Sequence, residues 1–169
     1  MKTLIISIFA LGLSFLVAGA ETKVTLSGVH LCCKGCVKGV AKAVDKSGGT
    51  AVCDAKAGTV VLSGTKEAVG KALEAVAKAG YYGKSDNKEL AISSQGGAKD
   101  EKVKSLTLSG THLCCGKCVK AVDKAVSATD GASAHTAKKK SNAFEVTGDF
   151  NALTLINALH DNGLHAFVK

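Results

Sequence analysis

Two short stretches of the chain place sulfur at high density. His30-Leu31-Cys32-Cys33-Lys34-Gly35-Cys36 returns further on as His112-Leu113-Cys114-Cys115-Gly116-Lys117-Cys118. Each stretch sets three thiols within five positions. Deprotonated, such thiols either bind soft ions or attack disulfides. Cys33 and Cys36, like Cys115 and Cys118, are three residues apart. If the first of each pair caps a helix and the second lies one turn in, both sulfurs face one point. Uncapped backbone N–H groups and the positive end of the helix dipole favour thiolates there. Lys34, Lys38, Lys117 and Lys120 add positive charge, so low-pKa thiolates are expected. Structural zinc closes its shell with four ligands. Two or three thiolates on an exposed loop suit instead an ion that is picked up and handed on, Cu(I) foremost.

Other residues compete for a share in this chemistry. The cysteine count is seven, an odd number, and six of the seven sit in the two clusters. A disulfide framework would spread its cysteines to close long loops. The seventh, Cys53, alternates with Val52 and reads as a small core residue. Cys32 and Cys114 are candidate third ligands. His30 and His112, two or three residues before the thiols, are either ligands or loop residues preserved by duplication. His135 occupies the place of Cys53 in the second copy. His160 reads as an exposed helix residue. Lys138-Lys139-Lys140 reads as a solvated turn, with docking of an acidic partner as the alternative.

The elements that must hold these loops repeat with them. Leu26-Ser27-Gly28 returns as Leu108-Ser109-Gly110, and Lys42-Ala43-Val44 as Lys124-Ala125-Val126. Strand-like alternation covers Thr22 to Gly28 and Lys104 to Gly110. A helical stripe follows the thiols: Val37, Val40, Ala41 and Val44 in the first copy, Val119, Val122 and Val126 in the second. Strand pairs follow at Thr50 to Lys56 with Thr59 to Ser63, and at Ala132 to Lys138 with Ala143 to Thr147. Second helices carry Val69, Ala72, Leu73 and Val76, then Ala152, Leu155, Ile156 and Leu159. Gly80 and Gly163 end them as C′ residues. Short last strands start at Tyr81 and Leu164. The order β-α-β-β-α-β is the split-βαβ arrangement of ferredoxin-like folds. The expected fold is therefore α+β: two tandem ferredoxin-like sandwiches, residues 21–84 and 104–169. A flexible linker, 85–103, joins them, and a tether of about twenty residues gives an effective concentration high enough that both loops could share one metal; whether they do stays open. Whether Glu89 to Ile92 extends the last strand of the first copy stays open.

Residues 1–20 read as a cleavable signal peptide, with one early lysine, an apolar run from Leu4 to Val17, and Ala18-Gly19-Ala20 at its end. The run is short for a bilayer span. Export, most simply to a bacterial periplasm, is the expectation, with no stable membrane span after cleavage. The formal charge is +8, and every basic side chain is lysine. A nucleic-acid reader would use arginine forks, so that partner class is excluded.

The cysteine stretches resemble the Met-x-Cys-x-x-Cys motif of the heavy-metal-associated domain family. That family includes copper chaperones, the amino-terminal domains of copper pumps and the periplasmic mercury-binding protein. The likeness covers both repeats. It implies a βαββαβ fold with the motif between first strand and first helix. It also implies Cys33 with Cys36 and Cys115 with Cys118 as the metal-binding pairs. Leucine, at 31 and 113, stands where the family has a methionine that packs under the loop. The variable position is cysteine, at 32 and 114, and the loop is about two residues longer. A third soft ligand favours a three-coordinate ion or metal-bridged clusters. Tyr82 and His165 fall where the family often keeps a side chain that modulates the metal loop, which makes His165 a candidate outer ligand or proton partner.

The expected function is an exported carrier or scavenger of a soft ion. Cu(I) leads, with Hg(II), Zn(II) or another thiophilic ion as alternatives, and the protein is not an enzyme. A metal-transporting membrane protein or another metal carrier would be its partner. Two readings compete: a thiol–disulfide redox protein, and a structural module whose cysteines are oxidised. Thioredoxin-like enzymes carry one such motif beside a cis-proline, and this chain has no proline.

Overall fold

A computed structural model of the chain describes residues 20–169; residues 1–19 of the expected signal peptide lie outside the described residues. The architecture is α+β, with two four-stranded antiparallel sheets and four α-helices. The first half runs β1 (Thr22–Ser27), α1 (Lys34–Val44), β2 (Thr50–Asp54), β3 (Thr59–Gly64), α2 (Lys66–Lys78) and β4 (Lys84–Ser85). The second runs β5 (Lys102–Ser109), α3 (Gly116–Ser127), β6 (Ala132–His135), β7 (Ala143–Asn151), α4 (Ala152–Asp161) and β8 (Phe167–Val168). The sheet orders are β2-β3-β1-β4 and β6-β7-β5-β8. Each half is compatible with a ferredoxin-like unit.

Period-two burial aims Val24, Leu26, Val60 and Leu62 at the helices of the first half; Leu106, Leu108, Phe144 and Val146 do the same in the second. The stripes of α2 and α4 are buried at every expected position. In α1 the expected stripe is corrected. Ala41 is exposed, and Cys36 takes the inner place with Val40 and Val44. Cys36 lies one turn before Val40, so the burial line runs through the thiol itself. The last strands also start later than expected. Tyr81 and Leu164 do not open them but form an isolated antiparallel bridge with each other, from one half to the other. Strands β2 and β6 end early, at Asp54 and His135, whereas β7 continues to Asn151 across a register shift.

The segment 86–101 is largely irregular but locally anchored. Ser85 Oγ donates to Leu90 O at 2.6 Å, Val168 N–H donates to Gly96 O at 2.7 Å, and Leu90 and Ile92 are buried. Glu89 to Ile92 does not extend a strand.

Helices α2 and α4 end in matching turns that also join the halves. Gly80, at φ +84°, and Gly163, at φ +72°, take the left-handed C′ position. Gly80 N–H donates to Ala77 O and Tyr81 N–H to Val76 O; Gly163 N–H and Leu164 N–H repeat this on His160 O and Leu159 O. This is the Schellman pattern. Gly80 O then accepts from His112 N–H (3.5 Å) and His165 N–H (3.1 Å) of the other half. Gly163 O accepts from His30 N–H (3.3 Å) and Tyr82 N–H (3.1 Å). Each glycine thus seats the opposite cysteine loop, and the buried side chains of both halves form one continuous cluster.

Candidate metal centre

The cysteine loops hang between a strand end and a helix start. In the first half Val29 N–H donates to Gly58 O at 2.8 Å; in the second Lys140 N–H donates to Leu113 O at 2.6 Å. Each β-hairpin tip therefore braces its loop, and that is the backbone role of the Lys138-Lys139-Lys140 turn. Leu31 and Leu113 are buried beneath the loops. Cys33 and Cys115 are the N-caps of α1 and α3. Neither helix has a side-chain cap bond or an acid in its first turn, so the N-terminal N–H groups stay available to the sulfurs.

The two loops meet. Cys32 Sγ lies 3.5 Å from Cys36 Sγ, 3.4 Å from Cys115 Sγ and 3.6 Å from Cys118 Sγ. Cys33 Sγ lies 3.7 Å from Cys36 Sγ and 3.6 Å from Cys114 Sγ, and Cys36 and Cys114 are 3.5 Å apart. Cys114–Cys118 and Cys115–Cys118 close the set at 3.7 and 3.9 Å. All six thiols of the two motifs thus form one cluster, and exchanging the halves maps these contacts onto themselves. Cys36 and Cys118 are fully buried, and the other four are partly buried. The loops are therefore less exposed than the sequence suggests, because each shields the other. No pair stands at disulfide distance; all seven cysteines are free thiols.

The expectation of uniformly acidic thiols is corrected. Cys33 is pulled down to about 7, mainly by the backbone N–H of Cys36 and then by the Cys114 thiol. Cys118 is held as thiolate by a hydrogen bond from Cys36, with further help from His30 and the Cys115 backbone. Cys36, the donor in that bond, keeps its proton, and burial adds to the upward push. Burial also raises Cys32, and pushes Cys114 up to about 12. Crowded sulfurs share protons, so helix dipoles alone do not set their acidity.

The histidines part company. A ring nitrogen of His30 lies within 4.8 Å of the Cys32 and Cys118 sulfurs. His112 instead stacks on Tyr81, centroids 4.6 Å apart, and Tyr81 OH donates to Cys36 O at 3.0 Å. Burial lowers its basicity. His165 is fully buried and joins none of the sulfur groups; its Nδ1 faces His160 Nε2 at 2.8 Å. His160 is not the exposed residue expected: its ring lies flat on Tyr82 at 3.8 Å. Burial pushes both His160 and His165 down to about 4. His135 is held by Asp123 Oδ1 at 2.7 Å and by Ala137 N–H, while Cys53, half-buried against the core, stands apart from the cluster. The contact between the loops had no trace in the local pattern; the repeated motif and a tether long enough to bring both copies to one metal were the pointers to it.

Outside the sulfurs the surface is cationic. One open cleft of about 570 Å³ is lined by Cys32, Cys33, Lys34, Lys38, Lys56 and Lys117. A second, of about 270 Å³, is lined by His30, Cys32, Lys117, Lys120 and Lys124. The arrangement offers soft, partly ionised sulfur donors in a shielded pocket with positive charge at its mouth, which is chemistry for a thiophilic cation. No protein-family model matches the chain, and no curated protein matches it.

Proposed function

We propose that the protein is an exported binding protein for a soft metal ion, a carrier or scavenger, with Cu(I) as its cargo. Its two halves act as tandem ferredoxin-like units that share one centre, and its partner is a metal-transporting membrane protein or another metal carrier. The observation that carries this reading is the convergence of Cys32, Cys33, Cys36, Cys114, Cys115 and Cys118, with neighbouring sulfurs 3.4–3.9 Å apart.

The spacing also bears on which ion. With metal–thiolate bonds of about 2.3 Å, a linear two-coordinate ion holds its sulfurs about 4.6 Å apart and a trigonal one about 4 Å apart. The observed contacts of 3.4–3.9 Å are too short for the linear case, and a tetrahedral ion, with sulfurs about 3.8 Å apart, fits them as well as a trigonal one, so the number of adjacent sulfurs decides. A tetrahedral site needs four mutually adjacent sulfurs, and the mutually close cysteines here come as trios. That favours three-coordinate Cu(I) over Zn(II). Transfer proceeds by ligand exchange, with an incoming thiolate displacing one sulfur before the next leaves. Among the described residues no helix is long and apolar enough to cross a membrane.

Anaerobic titration of the reduced protein with Cu(I), followed by mass spectrometry, tests the assignment. Tight uptake that Cys33→Ser with Cys36→Ser diminishes is expected. No uptake, or uptake indifferent to that change, sinks it. Rapid turnover of a model disulfide would support the redox reading instead.

A further inference from the structure

The six sulfurs have a definite figure. Eight pairs lie 3.4–3.9 Å apart. Cys32–Cys33, Cys33–Cys115 and Cys114–Cys115 lie within 4.8 Å, and Cys36 and Cys118, which both touch Cys32 and Cys114, form the twelfth pair. Those twelve pairs give every sulfur four neighbours and one opposite: Cys32 against Cys114, Cys33 against Cys118, and Cys36 against Cys115. Six points so connected are an octahedron.

Resting on the soft-metal reading above, the geometry points to a polynuclear cage: four Cu(I) ions on alternate faces of this sulfur octahedron, each ion bound by three sulfurs and each sulfur bridging two ions. One such set of faces is Cys32-Cys33-Cys115, Cys33-Cys36-Cys114, Cys114-Cys115-Cys118 and Cys32-Cys36-Cys118. The first three are themselves compact trios. The Cys33-Cys36-Cys114 face, with edges of 3.5–3.7 Å, has its centre about 2.1 Å from each sulfur, close to a metal–thiolate bond of about 2.3 Å. A modest expansion of the cluster accommodates the ions.

Charge supports the same nuclearity. Four monovalent ions with six thiolates leave a net charge of minus two. The N-termini of α1 and α3 lack acids in their first turns and point at the cluster, and Lys34, Lys38, Lys117 and Lys120 line its mouth. Each thiol that enters the cage gives up its proton to solvent, and no electron moves.

This explains why the variable position of each motif is cysteine. Cys32 touches Cys115 and Cys118, and Cys114 touches Cys33 and Cys36. They are the sulfurs that stitch one loop to the other. Because every sulfur bridges, partial loading leaves sulfurs half-used, and the cage should fill in a nearly all-or-none manner.

The test is anaerobic titration of the reduced full-length mature chain with Cu(I), followed by native mass spectrometry, cluster luminescence and X-ray absorption. The expected result is dominance of the metal-free and four-copper forms, with emission and a short Cu···Cu vector, about two-thirds of the sulfur spacing. Cys32→Ser with Cys114→Ser should cut uptake at least twofold and abolish the emission; circular dichroism reports whether that variant stays folded. Cys53→Ser, outside the cluster, should keep all four ions. Saturation at one or two ions without Cu···Cu scattering overturns the cage but leaves the soft-metal function standing. Four-copper binding that survives loss of Cys32 and Cys114 also overturns the cage. No binding at all overturns both.

Discussion

At the residue scale, what a thiol does here depends on its neighbours more than on its place in the motif. Cys118 is the most acidic sulfur but is fully buried, whereas Cys33 is both acidified and partly accessible. Reactivity follows thiolate fraction and access together. Cys33 should therefore be the first sulfur alkylated in the metal-free protein, with a rate rising through about pH 7. Cys114→Ala, which removes one of the hydrogen bonds that hold Cys33 down, should shift that midpoint upward. Peptide mapping after timed alkylation across pH reads both, and a Cys33 that titrates like a free cysteine would refute them. The buried histidines give a second residue-scale effect. His160 and His165 are held at about 4 in the folded state, against 6.5 for a free imidazole. The unfolded chain therefore binds more protons between those values, so stability is full above pH 6.5 and falls as pH drops toward 4. The loss from His165 alone is about 3 kcal/mol. Urea midpoints across this range measure it. Histidine NMR signals that titrate at 6 or above for both residues would contradict it.

At the scale of elements, the C′ glycines of α2 and α4 perform two tasks at once. They close their helices in the left-handed conformation, and they let the opposite loop approach. A Cβ on Gly80 would lie 2.3 Å from Gly110 O and from His112 N; one on Gly163 would lie 2.3 Å from Gly28 O. Gly80→Ala should cost more than the ordinary left-handed penalty of about 1–2 kcal/mol, because the clash is with the other half. Gly70→Ala, in the middle of α2 with nothing near its would-be Cβ, should stabilise by about 1 kcal/mol. Chemical denaturation of the two variants separates the effects, and equal changes in both would discount the docking role. The helix ends themselves were legible in the sequence, since glycine after an apolar stripe has few other meanings. The docking role was not, because periodicity reports only contacts within an element. The same limit explains α1. Valine and alanine spacing alone puts Ala41 inside, although Cys36 also lies on the buried line of the helix and takes that place. Helical phase likewise turns His160 outward, because it carries no sign that Tyr82 covers the ring.

At the scale of the molecule, repetition in the sequence pointed to two sulfur loops on a tether long enough to share one metal, and the structure brings their thiols into one cluster. The joining rests on contacts far apart in the chain: the Tyr81–Leu164 bridge, Tyr81 against His112 and Cys36, and the paired glycine carbonyls. These tie the halves through backbone and core as well as through sulfur, and the buried side chains run without interruption between them. Cooperativity should follow. The metal-free protein should lose both halves in a single thermal transition, since unfolding either strips core contacts from the other. A ligand that binds only the folded state stabilises it by RT ln(1 + [L]/Kd), about 2.7 kcal/mol at a hundredfold excess over Kd. Because the sulfur donors come from both halves, Cu(I) should raise that one transition as a unit and leave no fraction melting at the metal-free temperature. Circular dichroism melts at graded copper additions decide the matter. Two transitions without metal, or a copper-induced shift confined to half the signal, would mean that each half keeps its own ion and that the shared centre does not form.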